Sequence, residues 1–386
     1  MTWFRKLRFE IIVIGLYFFT LAFMIKYYDV QSFDIKVHIF MMVDYLKEGS
    51  FPSPPGYYAF IYAVDAFLRY KYPFVLAALL SLTFFFWIKF RITTSWLQKE
   101  VGLGYPSTFF LVLSMAFLSP IFIPAIDGFY WYLGKFTPTI WHNSTVIAVF
   151  PFSILLFFQT LKWLETEETK TLYKMASLGL VILLIKPSFL FCYIPSLPLI
   201  CLANKSGITK QFWVSMGFST LLFGFLLLEK YWIFEWDPMI AKLYTPEERS
   251  AVVLDPLRVH LHFSAEPVFD FLSSFPSTIV FLVFWGKRAF RDLMFNFSLM
   301  LVVLALAVYL LLAETGFRQF HGNFYWQIPI ALFLHYLSMV KIAVQDYKIN
   351  YPKMSPALWA FIVVYSIQVA MGITYWQRIF TGLTLS

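Results

Sequence analysis

Runs of about twenty apolar residues recur along this 386-residue chain, and they constrain its fold more than any other feature. A helix of about 20 apolar residues crosses the roughly 30 Å hydrocarbon core of a bilayer. Hydrophobic residues make up 60% of the chain and charged residues 13%, and no polar stretch is long enough to be an appended soluble domain. The sequence therefore predicts an all-α integral membrane protein, with residues 1–386 forming one polytopic domain.

Lysine and arginine lie at alternate ends of these runs, which predicts the orientation of each span. Arg5, Lys6 and Arg8 precede the first run and predict a cytoplasmic N-terminus. That run is long and has no small-residue cleavage site, so it is interpreted as a retained span rather than a signal peptide. Eleven spans are predicted, at about 9–27, 73–91, 105–125, 143–163, two short spans within 173–202, 211–229, 274–287, 293–313, 324–344 and 357–376. This count predicts a multi-pass protein of the cell (inner) membrane with its C-terminus on the outer, periplasmic side.

Two of these assignments depend on a few charged residues. Lys89, Arg91 and Lys99 are taken to mark the cytoplasmic end of the second span. The apolar block 173–202 is interrupted by Lys186-Pro187, which favours two short spans with Lys186 at an outer turn. One kinked span is the alternative, and it would invert everything that follows.

The first outer loop, 28–72, combines acids, a histidine and prolines with an amphipathic pattern. A helix from about Asp34 would carry Asp34 and His38 on one face, and 56–70 is predicted to be a second helix. Both helices are expected to lie in the membrane interface on the outer face. The apolar stripe of the first helix would be Ile35, Ile39, Met42 and Leu46.

Ionisable residues that are not simple anchors collect in the segments predicted to lie outside, including the large outer loop 230–275. Such residues at a membrane boundary are candidates for function. We expect them to converge on one outward-facing cavity. The set comprises His38, His142, His260, His262, His321, Asp34, Asp127, Glu314, Lys135, Lys186, Arg258 and Arg318.

Three residues are candidates for catalysis. Asp34 has the chemistry of a general base, and His38, four residues later, would hold it ionised. The alternative is a solvated face of an interfacial helix. Asp127 ends a predicted span among aromatic residues, where it would bond a sugar hydroxyl while Tyr130 stacks on the ring. A residue in a helix C-terminal turn is the alternative.

The candidate substrate-binding residues would recognise a phosphate and a sugar. Lys186 would supply a point charge and Arg318 a bidentate fork, with snorkelling as the alternative role for Lys186. His321 and Glu314 belong to the same polar segment as Arg318. His142 precedes a helix start at which Asn143 or Ser144 would form the cap.

Several function classes are disfavoured. The net charge of +8 is explained by the orienting bases, so nucleic-acid binding is not expected. No D-x-D, H-x-x-H or outer cysteine pair indicates a metal, so no metal or other cofactor is predicted. Cys192 and Cys201 are nine residues, about 13 Å, apart on one predicted helix, too far to form a disulfide bond.

The order of these parts resembles the GT-C superfamily of multi-spanning glycosyltransferases. The resemblance is in the first span, the acid in FDIKVHIF (Asp34), the turn SPPGYY and the aspartate after the third span (Asp127), so it covers about residues 1–130. There is no Asp-Glu or D-x-D pair in the first loop and no soluble C-terminal domain. The resemblance implies a polyprenyl-phosphate-linked sugar donor, a glycan or lipid-linked acceptor, Asp34 as the base, and Arg318, Lys186 or His321 at the lipid phosphate.

Two other classes remain open at this point. A polysaccharide polymerase or ligase of the Wzy or O-antigen-ligase type shares the lipid-phosphate chemistry, but it is characterised by arginine-rich later loops rather than by an early acid. A transporter or flippase usually has inverted repeats and polar residues at mid-membrane. In this chain the polar residues collect at one face, which favours polysaccharide biosynthesis by a membrane transferase.

Overall fold

The computed structural model of the protein describes residues 3–28, 34–127, 134–204 and 207–381. Within these residues the regular structure is helical except for one two-stranded antiparallel sheet, made of β1 (Val252–Leu254) and β2 (Leu312–Glu314). The α-helices are α1 (Trp3–Tyr27), α2 (Asp34–Lys47), α3 (Pro55–Leu68), α4 (Val75–Val101), α5 (Tyr105–Met115), α6 (Pro124–Asp127), α7 (Ser144–Thr166), α8 (Thr169–Ile185), α9 (Ser188–Asn204), α10 (Lys210–Tyr231), α11 (Pro238–Leu243), α12 (Arg258–Phe263), α13 (Pro267–Ser274), α14 (Pro276–Ala289), α15 (Leu293–Leu311), α16 (Ile328–Asn350) and α17 (Pro356–Ile379).

The expected class of fold is confirmed, but the number of crossings is not. In the described chain, seven helical segments are long and apolar enough to cross a membrane, or eight if α13 and α14, bent by 56°, form one broken span. Helices α5, α8 and α9 have 11, 17 and 17 residues and are not among them. Eleven crossings are therefore not confirmed. The long segments are Arg8–Tyr27, Val75–Val101, Ser144–Thr166, Lys210–Leu243, Leu293–Leu311, Asn323–Asn350 and Pro356–Ile379.

The third predicted span is a continuous helix only over its first half. α5 ends at Met115, and residues 118–123 are not helical. Pro120 and Pro124 explain this, because proline lacks an N–H and disfavours helical backbone in the residue before it. The freed backbone bonds elsewhere: the Ile121 N–H donates to the Ser273 carbonyl at 2.9 Å.

Both predicted helices of the first loop are present. α2 begins at Asp34 and buries Ile35, Ile39 and Met42 of the expected stripe, with Tyr45 beside them, whereas Leu46 is only partly buried. α3 packs against α4 and the end of α8. A Cβ at Gly56 would lie 2.7 Å from the Leu184 carbonyl oxygen, so glycine permits this close approach.

The apolar block 173–202 is two helices, as predicted from Lys186-Pro187. α8 ends at Ile185 and α9 starts at Ser188, so the break coincides with the proline. α8 packs back against α7. Lys186 therefore lies at the same end of the bundle as the start of α7.

Segments far apart in sequence meet at this end, which we call the site end. The Tyr45 hydroxyl of α2 donates to both carboxylate oxygens of Asp237, at 2.7 and 2.8 Å. β1 pairs with β2, with Val252 opposite Glu314. The loops 34–72, 232–275 and 312–323 thus form one packed layer.

Basic residues meet at the opposite end, which we call the basic end. Arg288 pairs with Asp346 at 3.2 Å, and Lys341 pairs with Asp292 at 2.9 Å. The Lys348 ammonium donates to the Gly102 carbonyl at 3.2 Å. These contacts join α14, α15, α16 and the turn after α4.

The position of Lys89 contradicts the prediction that it marks the cytoplasmic end of the second span. It is near the middle of α4, is 8% exposed, and its Nζ lies 3.5 Å from the centre of the Phe150 ring. A buried mid-helix lysine does not mark a membrane boundary. The orientation of α4 therefore rests on Lys99 and its neighbours, and Lys205 lies outside the described residues.

The two ends are expected to be accessible from opposite sides of the membrane. Glu247→Cys at the site end should react with an impermeant thiol reagent added outside, and Lys353→Cys at the basic end should react only after permeabilisation. Both side chains are exposed, and the native Cys192 and Cys201 are buried, so the background should be low. Labelling of both variants from one side would contradict the predicted topology.

Candidate functional site

A cavity of about 170 Å³ opens at the site end, close to most of the predicted site residues. Its walls are largely aromatic, so it presents flat apolar faces with a few polar groups between them. Such a lining suits a small ligand that has both apolar and polar faces. The residues used below that line it are Gly134, Trp141, His142, Phe263, Tyr309, His321, Gly322, Tyr325 and Trp326.

Asp34 sits beside this cavity at the point where α2 meets the start of α7. Its Oδ2 accepts the Ser144 N–H at 2.8 Å and lies 3.4 Å from His38 Nε2. Among the described residues, its Oδ1 has only a long contact, 3.5 Å, with Asn143 Nδ2. One carboxylate oxygen is therefore held in place, and the other has capacity to accept a stronger hydrogen bond.

The surroundings of Asp34 favour its charged form. Burial by itself raises the pKa of Asp34, but His38, the Lys186 charge and the Ser144 N–H hold the pKa well below its usual range. The Ser144 N–H belongs to the first turn of α7, where backbone N–H groups have no partner within the helix and a carboxylate is stabilised. Asp34 is thus an ionised carboxylate at neutral pH.

His38 links Asp34 to the second helix of the loop. Its Nδ1 lies 2.5 Å from the Tyr58 hydroxyl of α3, while its Nε2 faces Asp34. The ring is therefore held from both sides. The i, i+4 spacing predicted the contact with Asp34, but nothing in the sequence indicated Tyr58.

His142 and Asn143 have different roles. Asn143 caps α7, because its Oδ1 accepts the Val146 N–H at 3.0 Å, as expected for this helix start. His142 lines the cavity, and its Nδ1 is buried without a hydrogen-bond partner. Burial lowers the pKa of His142 although the Asp34 charge opposes the shift, so a neutral imidazole faces the cavity.

Lys186 acts electrostatically on Asp34 and also reaches a wall of the cavity. Its ammonium donates to Thr145 Oγ1 at 2.9 Å and lies 5.8 Å from the centre of the Trp326 ring. Burial lowers the pKa of Lys186 to about 8, although Asp34 and Glu314 oppose the shift. It has no carboxylate in salt-bridge range among the described residues, so it retains capacity to bind an anion.

Glu314, Arg318 and His321 come from the segment between α15 and α16. Glu314 ends β2, is 5% exposed, and accepts Asn323 Nδ2 at 2.6 Å. Burial raises the pKa of Glu314, and Arg318 and Lys186 oppose the shift. The Arg318 guanidinium lies 4.9 Å from the Phe234 ring and has no carboxylate partner among the described residues, while His321 lines the cavity.

Asp127 lies in a second cluster, apart from Asp34. Lys135 bridges Asp127 at 2.9 Å and Asp270 at 2.8 Å, and its ammonium also donates to Ser273 Oγ at 2.7 Å. The three charged side chains are at most 6% exposed. Asp127 Oδ2 accepts the Ile123 N–H at 2.7 Å, so both its oxygens are engaged. These contacts favour a structural role for Asp127 over the predicted catalytic one.

This second cluster still adjoins the cavity. Gly134, next to Lys135, lines the wall, and the Tyr325 hydroxyl donates to the Lys135 carbonyl at 3.0 Å. A Cβ at Gly134, whose φ is +82°, would lie 2.6 Å from Ser264 Cβ. The Lys135 cluster therefore positions one wall of the cavity, opposite the Asp34 side. The sequence indicates no partner for Lys135, and Asp270 is not among the predicted site residues.

The remaining described residues of the sequence analysis do not add to the cavity. Tyr130 lies outside the described residues. Within those residues no group of three or more His, Cys, Asp and Glu side chains is placed to hold a metal ion. His262 stacks on Phe320 at 3.8 Å, and His260 packs on Phe136, so both join loops together.

Comparison with known proteins adds no family assignment. The chain matches no protein-family model and no curated protein sequence. The description that stands is a helical protein with membrane-length apolar helices and a charged, aromatic-walled cavity at one end.

Proposed function

We propose that the protein is a membrane glycosyltransferase similar to the GT-C superfamily. It would transfer a sugar from a polyprenyl-phosphate-linked donor to a hydroxyl of a glycan or lipid-linked acceptor on the outer face. One observation carries the proposal: an ionised carboxylate, Asp34, interacts with Lys186, whose ammonium lies 5.8 Å from the ring of Trp326 in the cavity wall. Among the described residues neither Lys186 nor Arg318, whose charge acts on Lys186, has a carboxylate in salt-bridge range. A glycosyl transfer from a lipid phosphate requires such a base and such an anion site.

The carboxylate and the two cations would act on different groups in the reaction. The acceptor hydroxyl attacks the anomeric carbon from the face opposite the phosphate, its oxygen forms the new bond, and the bond from carbon to phosphate oxygen breaks. Asp34 Oδ1 takes the hydroxyl proton. Lys186 and the Arg318 fork bind the departing polyprenyl phosphate, whose negative charge increases as the bond breaks.

The aromatic walls would hold the sugar ring. Tyr325 and Trp326, which line the cavity and are partly exposed, present flat faces on which the C–H side of a sugar would stack. His142 and Glu314 would bond its hydroxyls. The donor lipid would remain between helices with its phosphate at the site end.

The proposed topology places the site on the outer face of the cell (inner) membrane. Helices α5, α8 and α9 would complete eleven crossings as short segments within the bundle, with the N-terminus cytoplasmic and the C-terminus periplasmic. Helices this short would require the bilayer to be locally thinner than average. The membrane lipids, the donor and the acceptor are then the expected partners.

The affinity for donor phosphate is expected to fall as pH rises above about 8. Only the protonated Lys186 attracts phosphate, and its pKa is about 8, whereas an ordinary lysine keeps its charge to about pH 10. Binding of polyprenyl phosphate should weaken roughly tenfold between pH 7 and pH 9. Titration calorimetry in detergent at each pH measures this change.

Lys186→Arg is the matched control, because arginine stays charged over this range. The variant should bind with an affinity that is nearly constant from pH 7 to pH 9. A flat profile in the unmodified protein, or an equal decline in the variant, would remove Lys186 from the phosphate site.

A further inference from the structure

A second and larger cavity, about 370 Å³, lies between α5, α16 and α17 towards the basic end. Its walls come from the second half of α16 and the first half of α17. It therefore lies at the end of the bundle opposite Asp34. The residues used below that line it are Leu111, Ala343, Tyr347, Met354, Ile362 and Tyr365.

The second half of α17 lies directly against the segment that follows α5. A Cβ at Gly372 would lie 1.6 Å from the Phe117 carbonyl oxygen, so the two segments are in direct contact there. Gln368 reinforces this contact by donating to the Ser119 carbonyl at 3.1 Å. Nearer the start of α17, the facing side chains of α5 and α16 leave space between the helices.

The groove is suited to a hydrocarbon chain. Its lining is aliphatic and aromatic, and the one hydroxyl at its inner end is satisfied, because Tyr365 and Ser114 share a hydrogen bond of 2.8 Å. Ile362 lines the groove and is also 36% exposed on α17, so the groove opens to the apolar surface of the bundle. A polar ligand would lose its hydrogen bonds to water and find no partners in the groove to replace them.

Two lysines are next in sequence to lining residues of the groove. Lys348 follows Tyr347, and Lys353 precedes Met354; both lysines are exposed, and Lys348 uses one of its three ammonium hydrogens to donate to the Gly102 carbonyl. The nearby acid Asp346 is already engaged by Arg288 at 3.2 Å. Two lysines at the end of an apolar groove match a negatively charged headgroup joined to a hydrocarbon chain.

We propose that this groove binds one acyl chain of an anionic phospholipid, with the headgroup phosphate on Lys348 and Lys353. The lipid fills the space between α16 and α17 and acts as a structural ligand. It stabilises the folded protein by binding it and not the unfolded chain. This site is separate from the cavity beside Asp34 and does not depend on the proposed transferase activity.

Native mass spectrometry of the purified full chain tests the proposal, with phosphatidylglycerol and phosphatidylcholine as probes. The unmodified protein should retain one phosphatidylglycerol at detergent concentrations that remove phosphatidylcholine. Ala343→Trp should lose it, because Ala343 is 4% exposed in the groove wall and an indole there fills the groove. Val363→Trp, at a position 53% exposed on α17 that does not line the groove, should retain it.

The headgroup contact is tested by a second variant. Lys348→Gln combined with Lys353→Gln should reduce the preference for phosphatidylglycerol on the order of tenfold and leave the groove intact. Equal retention by Ala343→Trp and the unmodified protein would overturn the proposal. So would equal retention of the two phospholipids, or stronger retention of polyprenyl phosphate than of phosphatidylglycerol.

A measurement on the unmodified protein covers the case in which Ala343→Trp does not fold. Phosphatidylglycerol with a photoreactive diazirine in its acyl chain should label the peptides of α16 and α17 that line the groove. Labelling of the exposed apolar face of α10 is the internal reference, because α10 is open to any lipid. Labelling of α10 equal to or above that of the groove would contradict a bound lipid.

Discussion

Replacing Asp34 by asparagine is expected to lower sugar transfer by roughly 10²–10⁴-fold while donor binding changes little. The amide keeps an oxygen that can accept the Ser144 N–H, now 2.8 Å from Asp34 Oδ2, so the contact between α2 and α7 survives. It removes the charge and the capacity to take a proton. Transfer from a synthetic polyprenyl-phosphate sugar, measured with the purified variant at saturating donor, gives the rate.

Asp65→Asn is the matched control for this experiment. Asp65 lies on α3, and its Oδ1 also accepts a backbone N–H, that of Phe74 at 2.9 Å. The substitution repeats the same chemical change on the neighbouring helix but away from the cavity, so transfer should remain close to normal. Near-normal transfer by Asp34→Asn would mean that Asp34 only caps α7, and it would favour a transporter or another catalytic residue.

Replacing Lys135 by methionine should lower the free energy of unfolding by about 3–5 kcal/mol. Methionine keeps an apolar stem, but it removes the ammonium, which lies 4.5 Å from the centre of the Phe269 ring, and leaves Asp127 and Asp270 buried without their shared cation. Two unpaired carboxylates in one buried site repel each other and cannot recover the lost hydration. Chemical denaturation in detergent, compared with the unmodified protein, measures the loss.

Two further variants separate the ion pairs from the side-chain packing. Lys162→Met removes a lysine that pairs with Glu168 at the surface, where both side chains are 50% exposed, and it should leave the free energy of unfolding nearly unchanged. Adding Asp127→Asn and Asp270→Asn to Lys135→Met should restore most of the lost stability. A loss no larger than that of Lys162→Met would show that the cluster does not hold the wall of the cavity.

Local sequence patterns determined much of the helical architecture. The 3.6-residue apolar stripe placed Ile35, Ile39 and Met42 on the buried face of α2, because that spacing is a property of the helix itself. Lys186-Pro187 broke the block 173–202 into α8 and α9, since proline cannot continue the helical hydrogen-bond pattern. The four-residue spacing also placed His38 beside Asp34.

Only the tertiary structure decided which polar residues share a site. Asp34 and Asp127 are both acids in segments next to apolar runs, yet Asp34 meets the start of α7, and Asp127 meets Lys135 and Asp270. Lys89 resembles a boundary lysine in sequence, but it is buried against Phe150. Spacing along the chain determines which residues share one helix face, whereas partners on different helices and loops are set by how those elements pack.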